Sequence, residues 1–165
     1  MSKRWPRTLG ATILVGLVAG ALVPVLMAGV ASSALSVFFN QSVSGTIRCG
    51  KQQAQVADTP DKGYAAAVTG AYHNGCSTIN NRLPGHLGGY AYLIQQSNGA
   101  VCVASGWQYN TTTSYQNLAA APKAPTSCPG FVAYISQAKG RIWRGDTSVY
   151  VTSSFWSFSP ALVLP

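Results

Sequence analysis

Enzymatic chemistry needs ionisable side chains held near one another, and this chain of 165 residues carries few of them. Its carboxylates are Asp58, Asp61 and Asp146, with no glutamate, and its histidines are His73 and His86. An acid pair for glycoside hydrolysis could come only from those aspartates. Asp58 and Asp61 share the segment Asp58-Thr59-Pro60-Asp61-Lys62-Gly63, where a turn capped by aspartate accounts for both. A serine nucleophile would need His73 or His86 as its base, and no Gly-x-Ser-x-Gly elbow singles out a serine. No catalytic residue is assigned, and a small secreted hydrolase using His73 or His86 stands as an alternative reading. His73 lies three residues before Cys76, but zinc sites show closely spaced ligand pairs, and no two cysteines here are closer than 26 residues. Neither a metal nor another cofactor is expected.

Residues suited to binding are better represented. Lys139, Arg141, Trp143 and Arg144 lie close together, and Trp107, Tyr109, Tyr115 and Trp156 add rings elsewhere. Side chains alternate along a strand, so Arg141 and Trp143 would share one face. Flat aromatics flanked by donors stack on sugar rings or meet acidic polymers. Trp107, Tyr109, Lys139, Arg141, Trp143 and Arg144 are therefore the candidate binding residues, while Trp156 is expected in the core. Arg144-Gly145-Asp146 reads as a hairpin turn rather than as an adhesion motif.

The front of the chain says where this chemistry would operate. Lys3, Arg4 and Arg7 precede Leu9 to Phe39, a run without charge, and no further charged residue occurs before Arg48. Basic, apolar and small-residue regions in that order make a secretory signal, with Ser32-Ser33-Ala34 as the preferred cleavage zone. The run exceeds what one span needs, so a retained signal anchor is the other outcome, with membrane contact through residues 9–34. Residues 1–34 are read as signal peptide or anchor and 35–165 as one exported domain, secreted or held in the cell envelope outside the cytoplasmic membrane.

Composition agrees with that placement. Charged residues are 8% of the chain against about 25% in ordinary domains, which argues against an exposed helical bundle laced with Glu and Lys pairs. Removing Lys3, Arg4 and Arg7 leaves +5 of the chain's +8. The expected partners are an anionic envelope polymer, a polysaccharide or a protein target, and export removes nucleic acid from consideration.

Cys49, Cys76, Cys102 and Cys128 all follow the leader and read as two disulfides in an oxidising compartment. Four cysteines allow three pairings; joining chain neighbours, Cys49 with Cys76 and Cys102 with Cys128, is the arrangement we expect.

The elements that must position these residues read as strands. Asn40 to Gln55 is a polar lead-in strand ending near the first cysteine, and Tyr64 to Tyr72 suits a strand or a short helix. Asn80 to Gly89 reads as loop. Tyr90, Tyr92 and Ile94 alternate before Ser97-Asn98-Gly99, and Val101, Val103, Trp107 and Tyr109 alternate after it, which makes a hairpin. Thr111 to Ser127 reads as loop. Phe131 to Gln137, a turn at Lys139-Gly140, Arg141 to Trp143, a turn at Gly145-Asp146 and Ser148 to Phe158 read as a three-stranded meander.

Tyr134-Ile135-Ser136-Gln137, Lys139-Gly140, Ile142-Trp143 and the closing Tyr150, Thr152, Ser153 and Ser159-Pro160 resemble the C-terminal ends of small secreted actinobacterial proteins. Where those proteins carry Asn-Gly after the aromatic residue, this chain has Arg144-Gly145-Asp146. The resemblance implies secretion and β-structure and transfers no catalytic residue. The fold expected is mostly β, a small antiparallel β-sandwich or meander with two disulfides behind an N-terminal signal or transmembrane helix. Its function is expected to be binding, with the hydrolase and a membrane-anchored component of an envelope assembly as alternatives.

Overall fold

The structure, a computed structural model, describes residues 29–59, 63–124 and 126–165. The expected leader helix and the Pro60 to Lys62 part of the expected turn lie outside the described residues. Within them the chain is all β, without a helix, and forms two antiparallel sheets.

The first sheet holds β1 (Val30–Ser32), β2 (Ser36–Val43), β3 (Thr46–Ala57), β4 (Tyr64–His73), β5 (Thr78–Ile79) and β9 (Gln116–Pro122). β3 and β4 are its centre. β1 and β2 line the free side of β3 in tandem, and β9 and β5 line that of β4. The second sheet holds β6 (Leu87–Gln95), β7 (Val101–Ala104), β8 (Gln108–Tyr109), β10 (Val132–Arg144), β11 (Val149–Thr152), β12 (Ser157–Phe158) and β13 (Leu162–Leu164). Here β6 and β10 are central, β7 and β8 follow β6, and β11, β12 and β13 run back along β10.

Small side chains let the sheets come close. Ala54, Ala65, Ala67, Ala119 and Ala121 of the first sheet pack with Ala91, Leu93, Tyr134 and Ala138 of the second in one buried cluster. A Cβ on Gly89 would stand 2.9 Å from Ala119 Cβ, and one on Gly140 would stand 2.9 Å from Thr69 Oγ1. Polar bridges cross the same gap. Ser136 Oγ donates to the Ala66 carbonyl at 3.1 Å, Thr69 Oγ1 donates to the Gly88 carbonyl at 3.0 Å, and Gln52 Oε1 accepts from Gly140 N at 2.8 Å. Each satisfies a buried polar group that would otherwise cost about 1–3 kcal/mol.

The disulfides join Cys49 to Cys76 and Cys102 to Cys128, as the pairing of chain neighbours anticipates, with Cα separations of 5.3 and 5.5 Å. The first ties β3 to the turn after β4, and the second ties β7 to the segment after β9. By loop-closure entropy each contributes about 3.5 kcal/mol.

Several expectations are corrected. The polar lead-in is two strands: Ser44 (φ +50°) and Gly45 (φ +76°) form a two-residue hairpin turn between β2 and β3, and β3 runs past Cys49 to Ala57. Lys139-Gly140 is no turn, because β10 passes straight through it. Gly140 pairs with Gly89 across the ladder and is glycine for close approach of the other sheet. The C-terminal meander is therefore one long strand with an interrupted return along its edge. The expected loop from Thr111 to Ser127 contains β9, whose Ala119 and Ala121 face the core. Its Pro122 ends the strand, where a missing amide donor does least harm. Tyr64 to Tyr72 resolves as strand, and the loop read to Gly89 ends at Leu87, where β6 starts. β1 pairs with β3 in the first sheet.

Candidate functional site

Strict alternation along β10 decides the site. Tyr134, Ser136, Ala138, Gly140 and Ile142 turn inward and are buried, so Lys139, Arg141 and Trp143 turn outward. The same holds for β6, where Leu87, Ala91 and Leu93 fill the core and leave Tyr90 and Tyr92 on the outside. Register sets the neighbours: Lys139 lies opposite Tyr90, Gln137 opposite Tyr92, Arg141 opposite Gly88, and Gly88 opposite Tyr109. On the other flank Trp143 lies opposite Tyr150 of β11. Trp107, between β7 and β8, and Trp156, before β12, complete the face.

The rings form two runs. His86 and Trp143 have centroids 6.0 Å apart, Trp143 and Tyr150 5.0 Å, and Tyr150 and Tyr109 5.5 Å. The second goes from Trp107 to Tyr90 at 5.6 Å, to Tyr92 at 4.9 Å, and from Tyr92 to Trp156 at 5.4 Å. Arg141 joins the two halves. Its guanidinium carbon lies 4.0 Å from the Trp107 centroid, 4.6 Å from Tyr109 and 4.5 Å from Tyr150. Gly88 makes the space, since a Cβ there would stand 2.9 Å from Arg141 Cγ and 3.0 Å from Tyr109 Cε1. Lys139 Nζ sits 4.5 Å over Trp156.

Electrostatics follow from this packing. Burial lowers the Arg141 pKa and Tyr150 opposes the shift; the guanidinium stays charged, so aromatic faces stand in for part of its lost hydration. Arg141 Nε is buried without a hydrogen-bond partner among the described residues. A hydrogen bond with Tyr92 is the main cause raising the Tyr90 pKa, so the Tyr90 phenol keeps its proton at neutral pH. All of these rings are half-buried: each lies against its neighbour and leaves part of its surface open.

Of the candidate binding residues, Trp107, Tyr109, Lys139, Arg141 and Trp143 share this face. Arg144 does not. It falls on the inward set of β10, near Phe39 at 5.9 Å, and forms an ion pair with Asp146 at 2.6 Å within the β10 to β11 turn. Tyr115 stands edge-on against Tyr72 of the first sheet at 6.4 Å. Trp156, expected in the core, is instead half-buried on the aromatic face, because the chain leaves β10's edge between Ser153 and Trp156. Tyr90, Tyr92 and Tyr150 belong to the face and were not among the candidates. The alternation of Tyr90 with Tyr92 was visible, but which side of the ribbon meets the core depends on the small residues between them.

The histidines lie at one end of the molecule. His73 closes β4 opposite Arg48, and His86 precedes β6. Burial is the main cause lowering the His86 pKa, with Arg82 adding to it. Among the described residues no side-chain hydrogen bond joins either imidazole to a serine or a carboxylate. Asp146 is engaged by Arg144, and Cys76 is held in a disulfide and offers no thiolate beside His73. No family model matches the chain, and no curated protein or solved structure matches it either.

Proposed function

We propose that this protein is an exported, disulfide-stapled β-sandwich that acts by binding, with the outer face of the second sheet as a platform for a polysaccharide. One observation carries the reading: a row of half-buried rings from His86 to Trp156, interleaved with Arg141 and Lys139, lies on a sheet face that no other element covers among the described residues. An aromatic ring presents a flat apolar surface that matches the C–H face of a sugar ring, and flanking cations and phenols donate to its hydroxyls. Apolar surface in a continuous patch disfavours the unliganded state, and a ligand covering it recovers that free energy.

The test is retention of the protein on envelope polysaccharide, read by affinity electrophoresis. Trp107→Ala and Tyr92→Ala should each weaken binding by about tenfold or more, as loss of a central aromatic anchor does. Tyr115→Ala, on the other sheet, should bind as the unaltered protein does. Full retention by Trp107→Ala would refute the platform. Release of reducing ends that stops in His86→Ala would replace this reading with the hydrolase.

A further inference from the structure

One end of the molecule gathers positive charge for which the described residues supply little compensation. Arg48 enters from β3, opposite His73 of β4 and Gln41 of β2. Arg82 is held by its backbone, which exchanges hydrogen bonds with Ser114 at 2.8 and 3.0 Å, and its guanidinium donates to the Trp143 carbonyl. Two open depressions meet there. One, of about 380 Å³, is lined by Thr46, Arg48, His73, Asn74, Asn80 and Arg82. The other, of about 260 Å³, is lined by Arg48, Arg82, Leu83, His86 and Trp143 among others.

The charges here are unbalanced. Among the described residues neither Arg48 nor Arg82 has a carboxylate partner, and the one nearby acid, Asp146, is taken by two bonds from Arg144. Among the described residues Arg82 Nε is buried with no hydrogen-bond partner. After burial, Arg48 is the next cause lowering the Arg82 pKa, so the two guanidiniums repel across a shared space. The β3 ladder fixes the Arg48 backbone and a two-bond bridge to Ser114 fixes that of Arg82, so the repulsion is not relieved by movement of the backbone. An oxyanion between them would relieve it by accepting charge-assisted hydrogen bonds from both side chains.

We propose that the depression around Arg48 and Arg82 binds an oxyanion carried by a glycan, so that the ligand of this protein is an anionic polysaccharide. Continuity supports the link. Trp143 lines the second depression and also begins the aromatic row, so one extended polymer can place a charged group on Arg48 and Arg82 and its rings on Trp143, Tyr150 and beyond. The inference rests on the platform reading for the glycan part alone; the oxyanion site stands on its own residues. Carboxylate and phosphodiester share the required chemistry, and the test separates them.

Affinity of the purified full chain would be measured for polygalacturonate, for a glycerol phosphate polymer and for neutral dextran, at low and at physiological ionic strength. At least one anionic polymer should bind about tenfold more tightly than dextran, with the preference shrinking as salt rises. The paired substitution Arg48→Gln with Arg82→Gln should abolish that preference. Inorganic phosphate should compete on the unaltered protein, which keeps the result independent of how the variant folds. Arg48→Gln alone, which touches no hydrogen bond of Arg82, should weaken anionic binding in the same direction. If dextran binding is lost in Trp107→Ala but no anionic preference exists, the platform stands and the oxyanion site falls. If anionic binding survives Trp107→Ala and is lost in the arginine pair, the oxyanion site stands and the platform falls. Unchanged anionic affinity in the arginine pair overturns the inference.

Discussion

Arg141 shows how one side chain can organise a surface. A guanidinium lying on Trp107, Tyr109 and Tyr150 holds three rings in a fixed relation, and it can lie there only because position 88 has no side chain. Gly88→Ala would push a methyl group to 2.9 Å from Arg141 Cγ. We expect this change to cost about 1–3 kcal/mol in urea unfolding, as overpacking does, and to weaken polysaccharide binding along with it. An unchanged urea midpoint would mean that Arg141 is not confined as described. The role of Arg141 as a candidate was legible from its type and its spacing to Trp143. The cage was not, since Trp107, Tyr109 and Tyr150 come from distant segments and only the ladder register sets them around one cation.

At the scale of elements, β1 matters most for how the protein is made. Gly29 O accepts from Asp58 N at 3.0 Å, Ser33 N donates to Ala54 O at 2.8 Å, and Ala54 N donates back to Ser33 Oγ at 2.8 Å. Ala31 packs against the main core cluster. Cleavage after Ala34 would discard all of these. A chain starting at Leu35 should therefore be less stable than one starting at Gly29 by about 2–4 kcal/mol, on the usual value per hydrogen bond. Urea midpoints of the two forms check this, and the intact mass of the protein isolated from producing cells should place its first residue at or before Gly29. An exported form that starts at Leu35 with the same midpoint would show that β1 is dispensable. Small residues at a cleavage zone and small residues in an edge strand look alike in sequence, and only the fold shows that Val30–Ser32 pairs with β3. The same ambiguity hid β9 among alanines and prolines.

For the molecule as a whole, pH enters through His86. Burial and Arg82 lower its pKa below the ordinary imidazole value, and Arg48 shares its depression. In the pH interval between the lowered folded value and about 6.5, the unfolded chain binds more protons than the folded one, so stability rises with pH. The contribution is complete above about 6.5 and is lost as pH falls through the folded value. Thermal melts should therefore show a falling midpoint on acidification over that window, and His86→Asn should flatten this part of the slope. A slope that survives in His86→Asn would assign the effect elsewhere. An oxyanion bound between Arg48 and Arg82 would offset part of their charge and bring the folded His86 value back toward the ordinary one, so phosphate should narrow the window.

Taken alone, the sequence determined a strand-rich class and the presence of cysteines for two staples, while three pairings stayed open. Low charge, β-branched and aromatic alternation and an even set of cysteines after an apolar run are properties of composition and spacing, and they restrict a chain without any knowledge of its partners in space. They pointed to a strand-rich domain and to Arg141 beside Trp143 on one face. Only the tertiary structure decided which face of each ribbon meets the core and which residues from distant strands meet one another. Those outcomes depend on register and on how closely two sheets approach. Here both turn on glycines and alanines, at positions 88, 89, 140, 119 and 121, whose small size carries no local signal until the opposing strand is in place.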